Sequence, residues 1–193
     1  MGIEFEMKYS ATPEQQDALL AAYELSCRVI RMETTYYDTP SAAFSDRHIT
    51  LRRRMENDVS VCTVKTPVEG YGRGEWECGC DDILSALPKL IALGAPEALA
   101  VWAAEGLQEV CAARFTRQAA DFNWNGAVLE IALDRGVLIG GGREVPLCEI
   151  EVELKSGAPE DAISLGMLLQ RQFGLQPQKK SKFRRALALK EED

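Results

Sequence analysis

Glutamates stand at every second position near both ends of this chain, Glu4 and Glu6 in IEFEMK and Glu149, Glu151 and Glu153 in EIEVELK. Each set alternates with apolar residues: Ile3, Phe5 and Met7 in the first, Ile150, Val152 and Leu154 in the second. Period two is the signature of a strand, whose successive side chains point to opposite faces. Bases follow the same alternation between these ends: Arg52 and Arg54 in ITLRRRM, Lys65 in SVCTVKT, and Arg73 beside Glu75 and Glu77 in RGEWEC. Lys8 closes the first glutamate run. Taken singly, each stretch reads as an ordinary half-buried strand with its polar side in water. Taken together they read differently, because stacked like charges repel and solvent faces usually mix Ser, Thr, Lys and Glu. Clustered carboxylates without histidine suit a hard cation such as Mg²⁺ or Mn²⁺. Clustered Arg and Lys suit phosphate oxygens. A metal-bound polyphosphate would satisfy both sets.

The elements that must position these residues follow from local pattern. Thr12, Pro13 and Gln15 mark a helix start that runs to about Leu25. RMETTYYDTP (31–40) reads as a strand, and 49–55, 60–66 and 73–78 follow as an antiparallel meander. Residues 81–110 carry Leu and Ala at helical spacing and predict two short helices, interrupted at Pro88 and at Gly94-Ala95-Pro96. Asn125-Gly126 predicts a hairpin within 115–136 that sets Arg117 opposite Asp134 and Asp121 opposite Glu130, all on one face. A strand at 147–155, an amphipathic helix at 158–174 ending on glycine, and a basic tail with a helical end complete the chain. If the sheet closes on itself, its apolar sides pack outward against helices and its charged sides line the interior. Buried charges there must be paired or bind metal.

Composition bounds the rest. The 193 residues, 46% hydrophobic and 27% charged, predict one globular domain over 1–193. A net charge of -8 argues against a nucleic-acid-binding surface. No apolar run approaches a membrane span, and the start lacks a signal-peptide pattern. Six scattered cysteines predict reduced, mostly buried thiols and a cytoplasmic protein. A thiolate metal site lacks a second Cys pair at workable spacing. His48 is the only histidine, stands at a turn before a strand, and is assigned no catalytic role.

The ordered series EFEMK, YYDTP, LRRR, TVK, RGEWE, LEIALDRG, CEIEVELKSG and SKFRR resembles the CYTH family, the triphosphate tunnel metalloenzymes, over nearly the whole chain. EIEVELKSG and the opening look most like the bacterial inorganic triphosphatase branch. The resemblance implies an α+β fold: a closed antiparallel eight-stranded β-barrel with helices packed outside and triphosphate bound within. It implies Glu4, Glu6, Glu149, Glu151 and Glu153 as holders of Mg²⁺ or Mn²⁺, with Glu4, Glu6, Lys8 and Glu151 catalytic. Lys8, Arg52, Arg54, Lys65, Arg73, Arg117, Lys182 and Arg185 become the phosphate binders, Arg185 being chosen over Arg184 by its spacing from Lys182. Glu75, Glu77, Glu130 and Asp134 become supports of the bases, and Tyr37 and Asp38 match the family's Tyr-Asp strand. Many bacterial members carry a further helical CHAD domain, of which these residues hold no counterpart. The implied activity is metal-dependent hydrolysis of a small-molecule substrate, inorganic triphosphate, to pyrophosphate and phosphate. A class IV adenylyl cyclase, a thiamine triphosphatase and a non-catalytic polyphosphate or nucleotide binder remain alternatives.

Overall fold

The first strand is interrupted at a single residue. In the computed structural model, which describes residues 2–69 and 72–190, Phe5 alone separates β1 (Gly2–Glu4) from β2 (Glu6–Ser10). β1 pairs with β6 (Arg73–Gly79), and β2 pairs with β9 (Arg143–Ser156). The other long strands are β3 (Arg28–Asp38), β4 (Thr50–Glu56), β5 (Val59–Pro67), β7 (Gln108–Trp124) and β8 (Ala127–Gly140). A two-residue β10 (Gln176–Pro177) lies against β2. All pairings are antiparallel, in the order β1-β6-β5-β4-β3-β7-β8-β9-β2-β10.

The closed eight-stranded barrel expected from the sequence is therefore corrected. Ten strands form one sheet, and no ladder joins the two ends of its order among the described residues. The reason lies in the segment 2–10. Its first half is used by β6 and its second half by β9, so neither neighbour obtains a full-length ladder. The same stretch of chain nevertheless serves both ends, which wraps the sheet around a common interior.

The outward faces are apolar and covered by helices. α1 (Pro13–Ala22) and α4 (Pro159–Phe173) cover a core containing Tyr9, Leu129, Ile131, Ile150 and Val152. Phe5, Met7 and Leu154 pack against the same core, as the alternation required, while Ile3 falls outside the described side chains. On the opposite flank, α2 (Ile83–Ala92) and α3 (Ala98–Ala103) cover Leu51, Cys62, Val64 and Trp76. Thr12 closes a reciprocal capping box with Gln15 at the start of α1, and Gly174, at φ 67°, ends α4 in the left-handed conformation.

Two local expectations fail for identifiable reasons. α2 runs through Pro88 instead of breaking there. The hydrogen bond lost at Pro88 would have gone to the carbonyl of Leu84, whose residue is 56% exposed, so water can take its place. β7 begins at Gln108, inside the stretch read as helical, because Val110, Cys111 and Ala113 are buried in a third core instead of on a helix.

The long β7–β8 hairpin depends on Gly136. A Cβ there would lie 2.0 Å from the Arg114 carbonyl oxygen and 2.5 Å from Phe115 Cα, both backbone atoms that cannot swing away. Gly136→Ala is expected to destabilise the fold by about 1–3 kcal/mol, the usual range for overpacking. A thermal melt unchanged from wild type would refute this close approach.

Candidate active site

The charged strand faces meet in one cavity of about 1020 Å³. Glu4, Glu6 and Lys8 reach it from the first two strands, and Arg52, Arg54 and Lys65 from β4 and β5. Arg73, Glu75 and Glu77 line it from β6. Arg117, Glu130, Glu151 and Glu153 line it from β7, β8 and β9. Lys182 enters from α5 (Lys182–Ala188). Three of the residues expected to bind metal or phosphate or to support the bases do not line it. Asp134 and Glu149 are fully buried behind it, and Arg185 turns onto Glu149. Arg184 is the arginine of that pair on the cavity wall, beside His48 Nδ1.

Strand register sorts the acids into two groups. Across β2, β9 and β8, Glu6 lies opposite Glu153, and Glu153 opposite Glu130, forming a row of like charges. Adjacent like charges are unfavourable unless a cation sits among them. Lys155 bridges Glu153 at 2.9 Å and Glu130 at 3.7 Å, Arg28 reaches Glu130, and Lys8 pairs with Glu6. Glu4, across the bend at Phe5, pairs with Lys65. One step further in, Asp134 lies opposite Glu149, and with Glu151 they form a compact three-carboxylate group. Lys182 Nζ sits in it, 2.8 Å from Asp134 and 2.9 Å from Glu151, and it also bonds Glu149. Arg117 donates to Asp134 at 2.7 and 2.8 Å and to Glu151 at 2.6 Å.

Neither group is electrostatically uniform: burial raises Glu149 of the inner group despite Lys182 and Arg185, while Glu4, although buried, is held below the ordinary carboxylate value by Lys65 and Arg52. Burial would raise Glu151, but Lys182, Arg117 and Lys8 together hold it well below the usual carboxylate range. Burial also raises Glu6, and there Glu151 and Glu4 add to the effect while Lys8 only partly opposes it. Glu153 is likewise pushed up by its burial. The outer row, with Glu6 paired to Lys8 and Glu153 to Lys155, is a set of hard oxygen donors of the kind that suits a divalent cation.

The opposite wall carries the arginines of β4. The Nε atoms of Arg52 and Arg54 are buried and have no hydrogen-bond partner. Arg52 approaches Glu75 only at 3.6 Å. Arg54 is pushed below the usual arginine range by burial, then by Arg52 and Arg117. Arg54 also pairs with Glu56 through a terminal nitrogen, and it is the two Nε donors that are left for an anion.

Some wall residues were not found by sequence reasoning. Arg28 falls before the strand start expected at Arg31, although it shares the parity of Thr34 and Tyr36; extending the alternation back three residues finds it. Lys155 continues the odd positions of the glutamate strand. Lys179 and Lys180 lie in the basic tail, which offers no period, and Arg184 is the alternative passed over there for Arg185. The expectation of an almost wholly charged interior is corrected: Ile30, Met32, Phe115, Phe183 and Leu187 form a neutral sector, because α5 packs there against β3 and β7. Asp38 accepts bonds from the backbone amides of Thr39, Phe44 and Ser45 and orders the turn before β4, while Tyr37 reaches Glu109 on the outside.

The profile of the CYTH domain matches residues 2–187. The chain belongs to the CYTH family. An inorganic triphosphatase from Haemophilus influenzae is 28% identical to this CYTH chain over 166 residues, covering 82% of it and 47% of that protein. The chain thus spans about half the length of the curated relative it matches. Among solved structures, a Pyrococcus horikoshii protein of 21% identity superposes with a TM-score of 0.64, covering 96% of this chain and 99% of its own. A Hippeastrum protein named for adenylyl cyclase and described as having a dominant triphosphatase activity superposes with a TM-score of 0.62 at 16% identity, covering 95% and 93%. These likenesses establish the shared CYTH fold. No helix among the described residues is long and apolar enough to cross a membrane.

Proposed function

We propose that this CYTH chain hydrolyses inorganic triphosphate to pyrophosphate and phosphate with the help of Mg²⁺ or Mn²⁺. The observation that carries the reading is the pair of buried, unpartnered guanidinium nitrogens of Arg52 and Arg54, facing a row of carboxylates across one cavity. Family membership and the likeness to an inorganic triphosphatase support it.

In this reading Arg52, Arg54, Lys65, Arg73 and Lys8 hold the phosphate oxygens and fix the chain along the cavity. Glu4, Glu6 and Glu153, with Glu151 beside them, would hold the metal. Bound there, the ion would neutralise phosphate charge and stabilise the departing oxygen. Water attacks the terminal phosphorus, the bond to the bridging oxygen breaks, and pyrophosphate leaves. Glu75 and Glu77 steady the bases.

Substrate preference tests the reading. Met32, Phe115 and Phe183 of the neutral sector are each at most 9% exposed, and Lys182 and Arg117 lie over the Phe115 ring. A nucleoside would therefore add bulk and few contacts. Inorganic triphosphate should show a kcat/KM at least about tenfold above that of ATP, which needs only about 1.4 kcal/mol of differential transition-state binding. Pyrophosphate, too short to reach both walls, should be poor. Equal or better use of ATP in steady-state kinetics would overturn this preference.

A further inference from the structure

We propose that Cys78 and Cys80 are a site of reversible oxidation, at which hydrogen peroxide converts the two thiols of the Cys78-Gly79-Cys80 stretch into one disulfide. The site lies on the outer side of the sheet, away from the cavity. Cys78 shares a face of β6 with Trp76 and stands directly opposite Cys62 of β5. Cys80 follows one residue past the end of β6, and both Cys78 and Cys80 pack against the core beneath α2. Three thiols thus gather here, whereas Cys27, Cys111 and Cys148 stand at β3, β7 and β9.

The three thiols are not equivalent. Cys80 is half-buried, and the Lys89 ammonium of α2 donates to its Sγ at 3.5 Å. A thiol attacks as its anion, so a cation in contact with the sulfur assists it. Cys62 is the wrong partner. It has no solvent exposure, its Sγ donates to the Cys80 carbonyl at 3.3 Å, and burial, then Cys80 and Cys78, pushes its thiol up to about 12. Cys78 is half-buried and lies on the same face as Cys80, two residues away. Burial, then Cys80, raises its thiol as well, which makes Cys78 the second sulfur to react and Cys80 the first. Two residues of strand span about 6.8 Å, the upper end of the Cα separations that a disulfide bridges. The chain must therefore shorten between them, and Gly79 is where it can: it has no Cβ to restrict its backbone, and no heavy atom lies within 4 Å of the place a Cβ would take. A bridge closed at that limit is readily reduced again.

The step balances with hydrogen peroxide as oxidant. The Cys80 sulfur attacks one peroxide oxygen and the O–O bond breaks. Hydroxide leaves, takes up the proton that Cys80 released, and Cys80 becomes a sulfenic acid. The Cys78 sulfur then attacks the Cys80 sulfur, the S–O bond breaks, and the departing oxygen takes the Cys78 proton to leave as water. Peroxide is reduced to two waters while the two thiols are oxidised to the disulfide.

The test is oxidation of the reduced, folded full chain by hydrogen peroxide, after which the remaining thiols are alkylated in denaturant and mapped by mass spectrometry. The peptide that holds both Cys78 and Cys80 should lack two hydrogens and carry no alkyl group, while Cys27, Cys62, Cys111 and Cys148 are alkylated. Dithiothreitol before alkylation should restore both thiols. Cys78→Ser should stop at a Cys80 sulfenic acid that dimedone traps, and Cys80→Ser should leave Cys78 reduced. The wild-type map decides alone should either serine variant fail to fold. A crosslink from Cys80 to Cys62, oxidation of any other cysteine ahead of this pair, or a Cys80 that stays reduced or passes straight to irreversible oxides would overturn the assignment. None of these readouts needs triphosphate turnover, so the inference and the proposed function stand or fall separately.

Discussion

Glu6→Gln should lower kcat/KM for triphosphate at least about 100-fold, equivalent to about 2.7 kcal/mol of transition-state stabilisation. The substitution preserves shape and removes a donor that faces Glu153 across the ladder and lies near Glu151 and Glu4. Stability should move the other way. Burial, then Glu151, raises the Glu6 pKa above its ordinary value, so the folded state holds this proton more tightly than the unfolded chain. The ionised carboxylate therefore destabilises the metal-free fold at neutral pH, and the penalty fades as pH falls through the raised pKa. The glutamine variant, neutral throughout, should melt no lower than wild type at neutral pH, with the difference shrinking in acid. Activity near wild type at limiting Mn²⁺ would remove Glu6 from the metal set.

Arg52→Ala and Arg54→Ala should act on binding. Each loses charge-assisted hydrogen bonds worth about 1.5–3 kcal/mol, a rise in KM of roughly tenfold to a hundredfold with a smaller change in kcat. Neither should unfold the protein. Arg54 is disfavoured as a cation by burial and then by Arg52, so Arg52→Ala relieves Arg54 and Arg54→Ala removes the disfavoured cation itself. A large fall in melting temperature with KM unchanged would mean that these arginines support the sheet and do not hold the ligand.

The alternation of charged and apolar residues made much of this site legible before the fold was known. Glu6, Lys8, Arg52, Arg54 and Glu151 share the cavity because a strand has only two faces, and a period of two admits one reading. The Arg117–Asp134 pair followed from the Asn125-Gly126 turn in the same way. Helical parity was less forgiving. Lys182 and Arg185 are three residues apart on α5, so they share a face, and that face meets Glu149 behind the cavity wall. Arg184, about 100° away around the helix, takes the cavity side beside His48. The neutral sector was hidden for a related reason: Ile30, Met32 and Phe115 look like outward core residues until the helix that covers them from within is placed. Sheet closure was also out of reach, since nothing in the opening pattern shows that one segment splits its pairing at Phe5.

The central claim is hydrolysis of triphosphate under metal control. ³¹P NMR of the wild-type protein with triphosphate and ATP, each with Mn²⁺ or Mg²⁺ removed by chelation after the reaction and in a parallel sample never given metal, tests it directly. The account predicts pyrophosphate and phosphate in equal amounts from triphosphate, only with metal, and much slower loss of ATP. Undiminished triphosphate in the presence of metal, or a cyclic nucleotide and pyrophosphate as the main products from ATP, would contradict it.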